Sequence, residues 1–219
     1  MKTFATLILA VMVIFAVTAN AQPVTTDSPY QVRYASNLNI GDSIVNMTNT
    51  GANGAGFGSG TSASVTGAIC ANVYAFDPTE EIVSCCSCPV TPNGLVSLSA
   101  RADLINNPLF PRTPTAITIK IVATVPVGGS CSNSALLGGQ GGTPTLANGL
   151  LAWGTTLHAN TGAPAGTYAL TETRFSPATL SAGELARLQY ACGVVNNQGS
   201  GFGVCNSCRV GGLGAATIR

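Results

Sequence analysis

The eight cysteines constrain this 219-residue chain more than any other feature, because none precedes residue 70 and their number is even. They are Cys70, Cys85, Cys86, Cys88, Cys131, Cys192, Cys205 and Cys208. An even set in an exported chain points to a disulfide framework. Export is the expectation at the other end. Met1-Lys2 opens an apolar run from Leu7 to Val17, and Ala19-Asn20-Ala21 has the small residues a signal peptidase reads. That run is too short for a membrane span, so residues 1–21 read as a signal peptide and no span is expected in the mature chain. The destination is then extracellular space or the cell surface.

Two cysteine clusters contain C-x-x-C spacing, Cys85-Cys86-Ser87-Cys88 and Cys205-Asn206-Ser207-Cys208. A tetrathiolate metal site is the alternative reading. It is the weaker one, since such sites are mostly intracellular and the clusters lie far apart. Haem attachment fails, as Pro89 and Arg209 stand where the histidine is needed. A thioredoxin-like pair would open a helix after a strand, and Pro89 argues against that. The pairing itself is not legible. Adjacent Cys85 and Cys86, however, should face opposite sides of a strand and so bond different partners.

Composition supports a β-leaning globular chain. Only 9 basic and 8 acidic residues occur, against 58 Ser, Thr and Asn, 26 Gly and 12 Pro. With 46% hydrophobic residues, charge-driven disorder is excluded. A net charge of +1 offers no basic face for nucleic acid. Without Lys2 the mature chain has eight charges of each sign, and a neutral surface lacks the repulsion that keeps molecules apart.

Residues 22–29 read as a flexible leader and 30–219 as a single domain. Tyr30, Val32 and Tyr34 alternate on one strand face. Further strands are expected at 42–49, 68–76, 81–85, 95–99, 115–125, 151–158 and 167–175, with a turn at Pro92-Asn93-Gly94. In the sixth of these eight, Ile117, Ile119 and Ile121 should point inward and Lys120 outward. One helix is expected near 181–192. Ser181 and Glu184 form a capping box there, and Leu185, Leu188 and Cys192 share a face. The fold class is all-β: a two-sheet, Ig-like sandwich with one short helix, stapled by disulfides.

Candidates for chemistry are few, and no catalytic, cofactor or metal residue is assigned. The glycine-rich stretch at 54–60, echoed at 199–203, lacks the following helix and lysine of a phosphate loop, and 138–142 reads as a further glycine-rich loop. His158 is the lone histidine, without a G-x-S-x-G elbow. Glu172, two residues before Arg174, is the acid nearest to a catalytic position, though an outward ion pair explains it equally well. Trp153 could stack on a sugar or fill the core. Asn46-Met47-Thr48 is a glycosylation sequon.

In the segments CANVYAF (70–76), CCSCPVTPNGL (85–95) and GSGFGVC (199–205), the chain resembles uncharacterised secreted bacterial proteins. The resemblance implies export and a shared cysteine framework, and no mechanism. The function expected is that of a secreted structural or interaction protein, self-assembling into a filament or surface layer. In it Tyr30, Val32 and Tyr34 would be donated as a strand to a neighbouring copy. A monomeric carbohydrate-binding module is the second expectation and a secreted hydrolase the third.

Overall fold

A computed structural model describes residues 27–56, 62–107, 112–131, 144–160, 162, 164, 167–198, 200, 203–205 and 208–210. The expected signal peptide, most of the leader and the 138–142 loop lie outside the described residues. So does part of each of the other two glycine-rich stretches.

Among the described residues ten strands and one α-helix follow in order: β1 (Tyr30–Ala35), β2 (Ile44–Asn49), β3 (Ile69–Phe76), β4 (Ile82–Val90), β5 (Leu95–Ser99), β6 (Ile117–Thr124), β7 (Leu150–Ala159), β8 (Tyr168–Arg174), β9 (Ser176–Pro177), α1 (Ala182–Asn197) and β10 (Arg209–Val210). One turn of π-helix, Ala100–Leu104, follows β5. The strands form two antiparallel sheets, ordered β4-β3-β6-β1-β9 and β10-β5-β2-β7-β8. We call them the first and the second sheet. The fold is the all-β, disulfide-stapled sandwich that the strand spacing predicts.

Period-two burial explains the layering. The inner faces carry Ala71, Val73 and Ala75 of β3 and Ile117, Ile119 and Ile121 of β6. They meet Val45 and Met47 of β2, Val96 and Leu98 of β5, and Leu150 and Ala152 of β7 in one core. The outer face of the first sheet is also apolar. There Tyr30, Tyr74, Phe76 and Val122 pack beneath Leu188 and Cys192 of α1. β3 is consequently buried at all eight positions, as a strand covered on both faces must be. The second sheet has no such cover among the described residues, and Asn46, Leu151 and Trp153 on its outer face are only partly buried.

Half of the expected capping box forms. The Glu184 N–H donates to Ser181 Oγ at 3.0 Å. The Glu184 carboxylate instead takes Lys120 Nζ at 2.5 Å, because Lys120 leaves β6 on the face that α1 covers. The helix also passes Gly193 and runs on to Asn197. Val195, beyond the glycine, packs on the second apolar cluster, which gives the last turn tertiary support.

Two differences concern the strands. β4 extends through the whole Cys-Cys-Ser-Cys-Pro run rather than ending at Cys85. Pro89 is tolerated because β4 is an edge strand, where a missing N–H faces no ladder partner. The leader ends earlier than its composition suggests: Ser28 Oγ donates to the Tyr30 carbonyl at 2.7 Å, and Pro29 O accepts from Ala123 N–H at 2.7 Å.

Candidate functional site

All eight cysteines are paired: Cys70–Cys131, Cys85–Cys192, Cys86–Cys205 and Cys88–Cys208. Strand alternation sorts the neighbours Cys85 and Cys86 as expected. Cys85 faces outward and ties β4 to α1, whereas Cys86 and Cys88 face the inter-sheet core. The segment that receives them runs down one side of the sandwich. At 203–205 it lies parallel to the edge of β4. There the Cys85 N–H donates to Gly203 O at 2.8 Å and the Cys205 N–H to Cys85 O at 3.2 Å. Gly203 has φ +80°, and a side chain there would strike Val195 at 2.9 Å. Five residues later, β10 pairs with β5. One strap thus covers an edge strand of each sheet.

The opposite side is closed by an arginine. Arg33 lies on the inner face of β1 and is only 8% exposed. Its Nη1 donates to Thr173 O of β8 at 2.9 Å and to Thr173 Oγ1, and its Nη2 donates to Thr156 Oγ1 of β7 at 2.7 Å. The guanidinium carbon lies 5.9 Å from the Phe175 ring centroid. Nε has no hydrogen-bond partner, a deficit that costs free energy in a buried donor. Burial lowers the pKa of Arg33 from its ordinary value, and the Glu172 carboxylate opposes that shift. Gly154 makes room for this side chain, since a Cβ there would sit 2.4 Å from Arg33 Nε. Beside Arg33, Gln31 Nε2 donates to Leu150 O at 2.7 Å. Polar bonds, rather than disulfides, join the sheets on this side.

β8 is the outermost strand here. It pairs with β7 over seven residues, Trp153↔Arg174 through Ala159↔Tyr168. Among the described residues no strand lies on its other side. Five of its seven residues are exposed and none is buried. On the first sheet, β9 covers β1 only at Gln31 and Val32.

The residues singled out in the sequence are placed as follows. Tyr30, Val32 and Tyr34 do share a face, but β1 sits inside its own sheet between β6 and β9. Tyr30 is buried under α1, whereas Tyr34 is 62% exposed. His158 Nε2 lies 2.9 Å from Thr171 Oγ1, with both residues exposed. Among the described residues no carboxylate holds that imidazole, so the base-and-orienter arrangement of a hydrolase is not assembled there.

Trp153 is half-buried on the uncovered face, with Arg174 5.9 Å from its ring centroid. Next to it in the ladder, Asn46 accepts from Ser97 Oγ at 2.5 Å and donates to Glu172 at 3.2 Å. The sequon asparagine is therefore bonded at both ends of its amide. Glu172 and Arg174 share this face, yet Glu172 meets Asn46 and Arg174 meets Trp153. Arg33 and the strap were missed by sequence reasoning. Arg33 is a lone charge in an alternating strand, and a two-residue strand such as β10 carries no periodicity at all.

Among the described residues no helix is long and apolar enough to cross a membrane. In comparisons with known proteins, no family model, no curated protein and no solved structure matches this chain.

Proposed function

We propose that the protein is a secreted structural subunit that pairs with copies of itself along the free edge of β8. The observation that carries this reading is the seven-residue edge of β8, which among the described residues has no strand beside it, next to three edges that are wholly or partly covered. An open edge offers a row of backbone donors and acceptors to another strand. The sequence of β8 suits a second copy of itself. An antiparallel pair with its two-fold axis at Thr171 sets Tyr168 opposite Arg174 and Leu170 opposite Glu172, so no like charges meet. The Tyr168–Arg174 pairs also place cations beside aromatic rings. The four disulfides support a life in an oxidising compartment.

Such a two-fold contact closes on a dimer, and a filament needs a second contact of another kind. Exchange of β1 between copies would supply it, because a donated Tyr30–Ala35 segment rebuilds in trans the β6 and β9 pairings it makes in cis. The two contacts separate experimentally. Electron microscopy and light scattering of the non-reduced mature protein should show ordered assemblies. Thr171→Lys should abolish the dimer step, while an excess of a synthetic peptide of residues 27–36 should compete with the exchanged β1, leaving dimers and removing filaments. Association unchanged in Thr171→Lys refutes the β8 contact.

A second reading is glycan binding on the outer face of the second sheet, favoured by half-exposed Trp153 beside Asn46, Glu172 and Arg174. Quenching of the single tryptophan by soluble polysaccharides tests it, and a flat titration ends it.

A further inference from the structure

The sulfur atoms of Cys86, Cys88 and Cys208 all lie within 4.8 Å of one another, and Cys205 is bonded to the first of them. Three sulfurs therefore cluster where the strap meets β4, and the fourth, that of Cys205, adjoins the cluster through its bond to Cys86. We propose that these four cysteines form a zinc site that interchanges with the disulfides: two bonds when oxidised, a tetrathiolate Zn2+ centre when reduced. This proposal is independent of the β8 contact.

The placement follows from the two spacings. Cys86 and Cys88 are two apart on a strand, so both project from one face of β4. Cys205 and Cys208 are three apart in the strap and approach from the opposite direction. Two ligands from a strand and two from a facing segment give the arrangement a tetrahedral metal requires. Zinc holds thiolates at about 2.3 Å, which sets sulfurs about 3.8 Å apart. Opening the two disulfides frees all four sulfurs, and Cys205 must then turn in toward the other three. The other cysteines are excluded by position. Cys85 and Cys192 lie in the helix-covered cluster on the far face of β4, and Cys70–Cys131 is a separate bridge. Cys86, Cys88 and Cys205 are buried, whereas Cys208 is only partly so and gives reductant and metal a way in.

The balance is complete with a dithiol as reductant. Each protein disulfide takes two electrons and two protons from one dithiol, which leaves as its own disulfide. The four resulting thiols bind one Zn2+ and release four protons. In either state the strap stays joined to β4, so the side of the sandwich it covers does not depend on the redox state.

The test uses the mature full-length chain, reduced with a phosphine that leaves zinc free, and Co2+ as the optical probe followed by Zn2+. One Co2+ per chain is expected, with the absorption bands of a tetrahedral tetrathiolate, bleached on adding Zn2+. Native mass spectrometry should then find one zinc per reduced chain and none in the oxidised one. The variant Cys88→Ser with Cys208→Ser should lose the tetrathiolate bands, while Cys70→Ser with Cys131→Ser should keep them. Hydrogen exchange at the Cys205 amide should slow when zinc is added to the reduced chain. Absence of stoichiometric metal, bands that survive in the Cys88/Cys208 variant, or a reduced chain that stays unfolded with the metal present would each overturn the proposal.

Discussion

The two sides of this sandwich solve one problem by different chemistry. On the β4/β5 side, a strap runs from one sheet to the other and is fixed by Cys86–Cys205 and Cys88–Cys208, with Cys85–Cys192 holding the helix above. On the β1/β8 side, Arg33 reaches across to Thr156 and Thr173, and the outer strand stays open. Covalent closure holds the strap against the outer edge of β4 at Cys85 and brings β10 onto β5. A hydrogen-bonded latch joins the layers yet, among the described residues, leaves the outer edge of β8 without a strand partner. If β8 pairs with a second copy as proposed, one flank serves stability and the other contact.

The largest effect should come from unstapling the closed flank. Replacing Cys86, Cys88, Cys205 and Cys208 together by Ala frees the chain between Cys192 and Cys208. Loop-closure entropy for a segment of that length is about 3 kcal/mol. Removing either pair alone should cost much less, because the other staple closes nearly the same loop. Urea unfolding of the three variants measures this, and equal losses from one pair and from both would dissolve the redundancy.

Next in size is Gly154→Ala on the latch side. The added carbon meets Arg33 at 2.4 Å, and overpacking of this kind costs about 1–3 kcal/mol. In an Arg33→Ala background the same change should cost clearly less, and a double-mutant cycle reads the coupling directly.

A smaller effect is expected at high pH, and it belongs to the helix-covered face. Burial, with the Glu184 carboxylate second, pushes the Tyr30 hydroxyl from 10.0 to about 12. Burial raises Tyr74 as well. A folded pKa above the unfolded one means that the folded state holds its proton longer. That stabilisation is complete below pH 10 and is lost as pH climbs from 10 towards 12. Tyrosinate absorbance followed together with unfolding should show two late-ionising tyrosines whose ionisation coincides with loss of structure.

The smallest effect on stability should be that of Thr171→Lys on the open edge, within about 0.5 kcal/mol. Its effect on association should nonetheless be complete, since an edge lysine blocks strand addition. A destabilised monomer, seen in the same unfolding experiment, would show that β8 serves the fold rather than a contact.

Much of this architecture is legible in the sequence. Alternation places Ile117, Ile119 and Ile121 opposite Lys120, and Ser181 marks the helix start. It also separates Cys85 from Cys86. What alternation does not say is which layer each face meets. Tyr30 and Val32 form the apolar face of β1, yet they lie under α1, while Gln31 and Arg33 enter the space between the sheets. That choice is made by Gly154 on another strand, so no local pattern contains it. The strap escapes for a related reason: its two-residue pairings are too short for a period, and its course is set by disulfides whose partners sequence leaves open.

Pulled at its two ends, this molecule would not extend uniformly. The disulfide loops together enclose everything from Cys70 to Cys208, and the bridge Cys88–Cys208 takes the chain between those two residues out of the path of the load. Among the described strands only β1, β2 and the two residues of β10 lie wholly outside those loops. Tension carried along a chain of such subunits would fall first on β1 and β2, which can peel away and re-form while the cross-linked remainder keeps its shape. The cysteine spacing thus divides the fold into a freely extensible N-terminal portion and a body whose extension the cross-links cap.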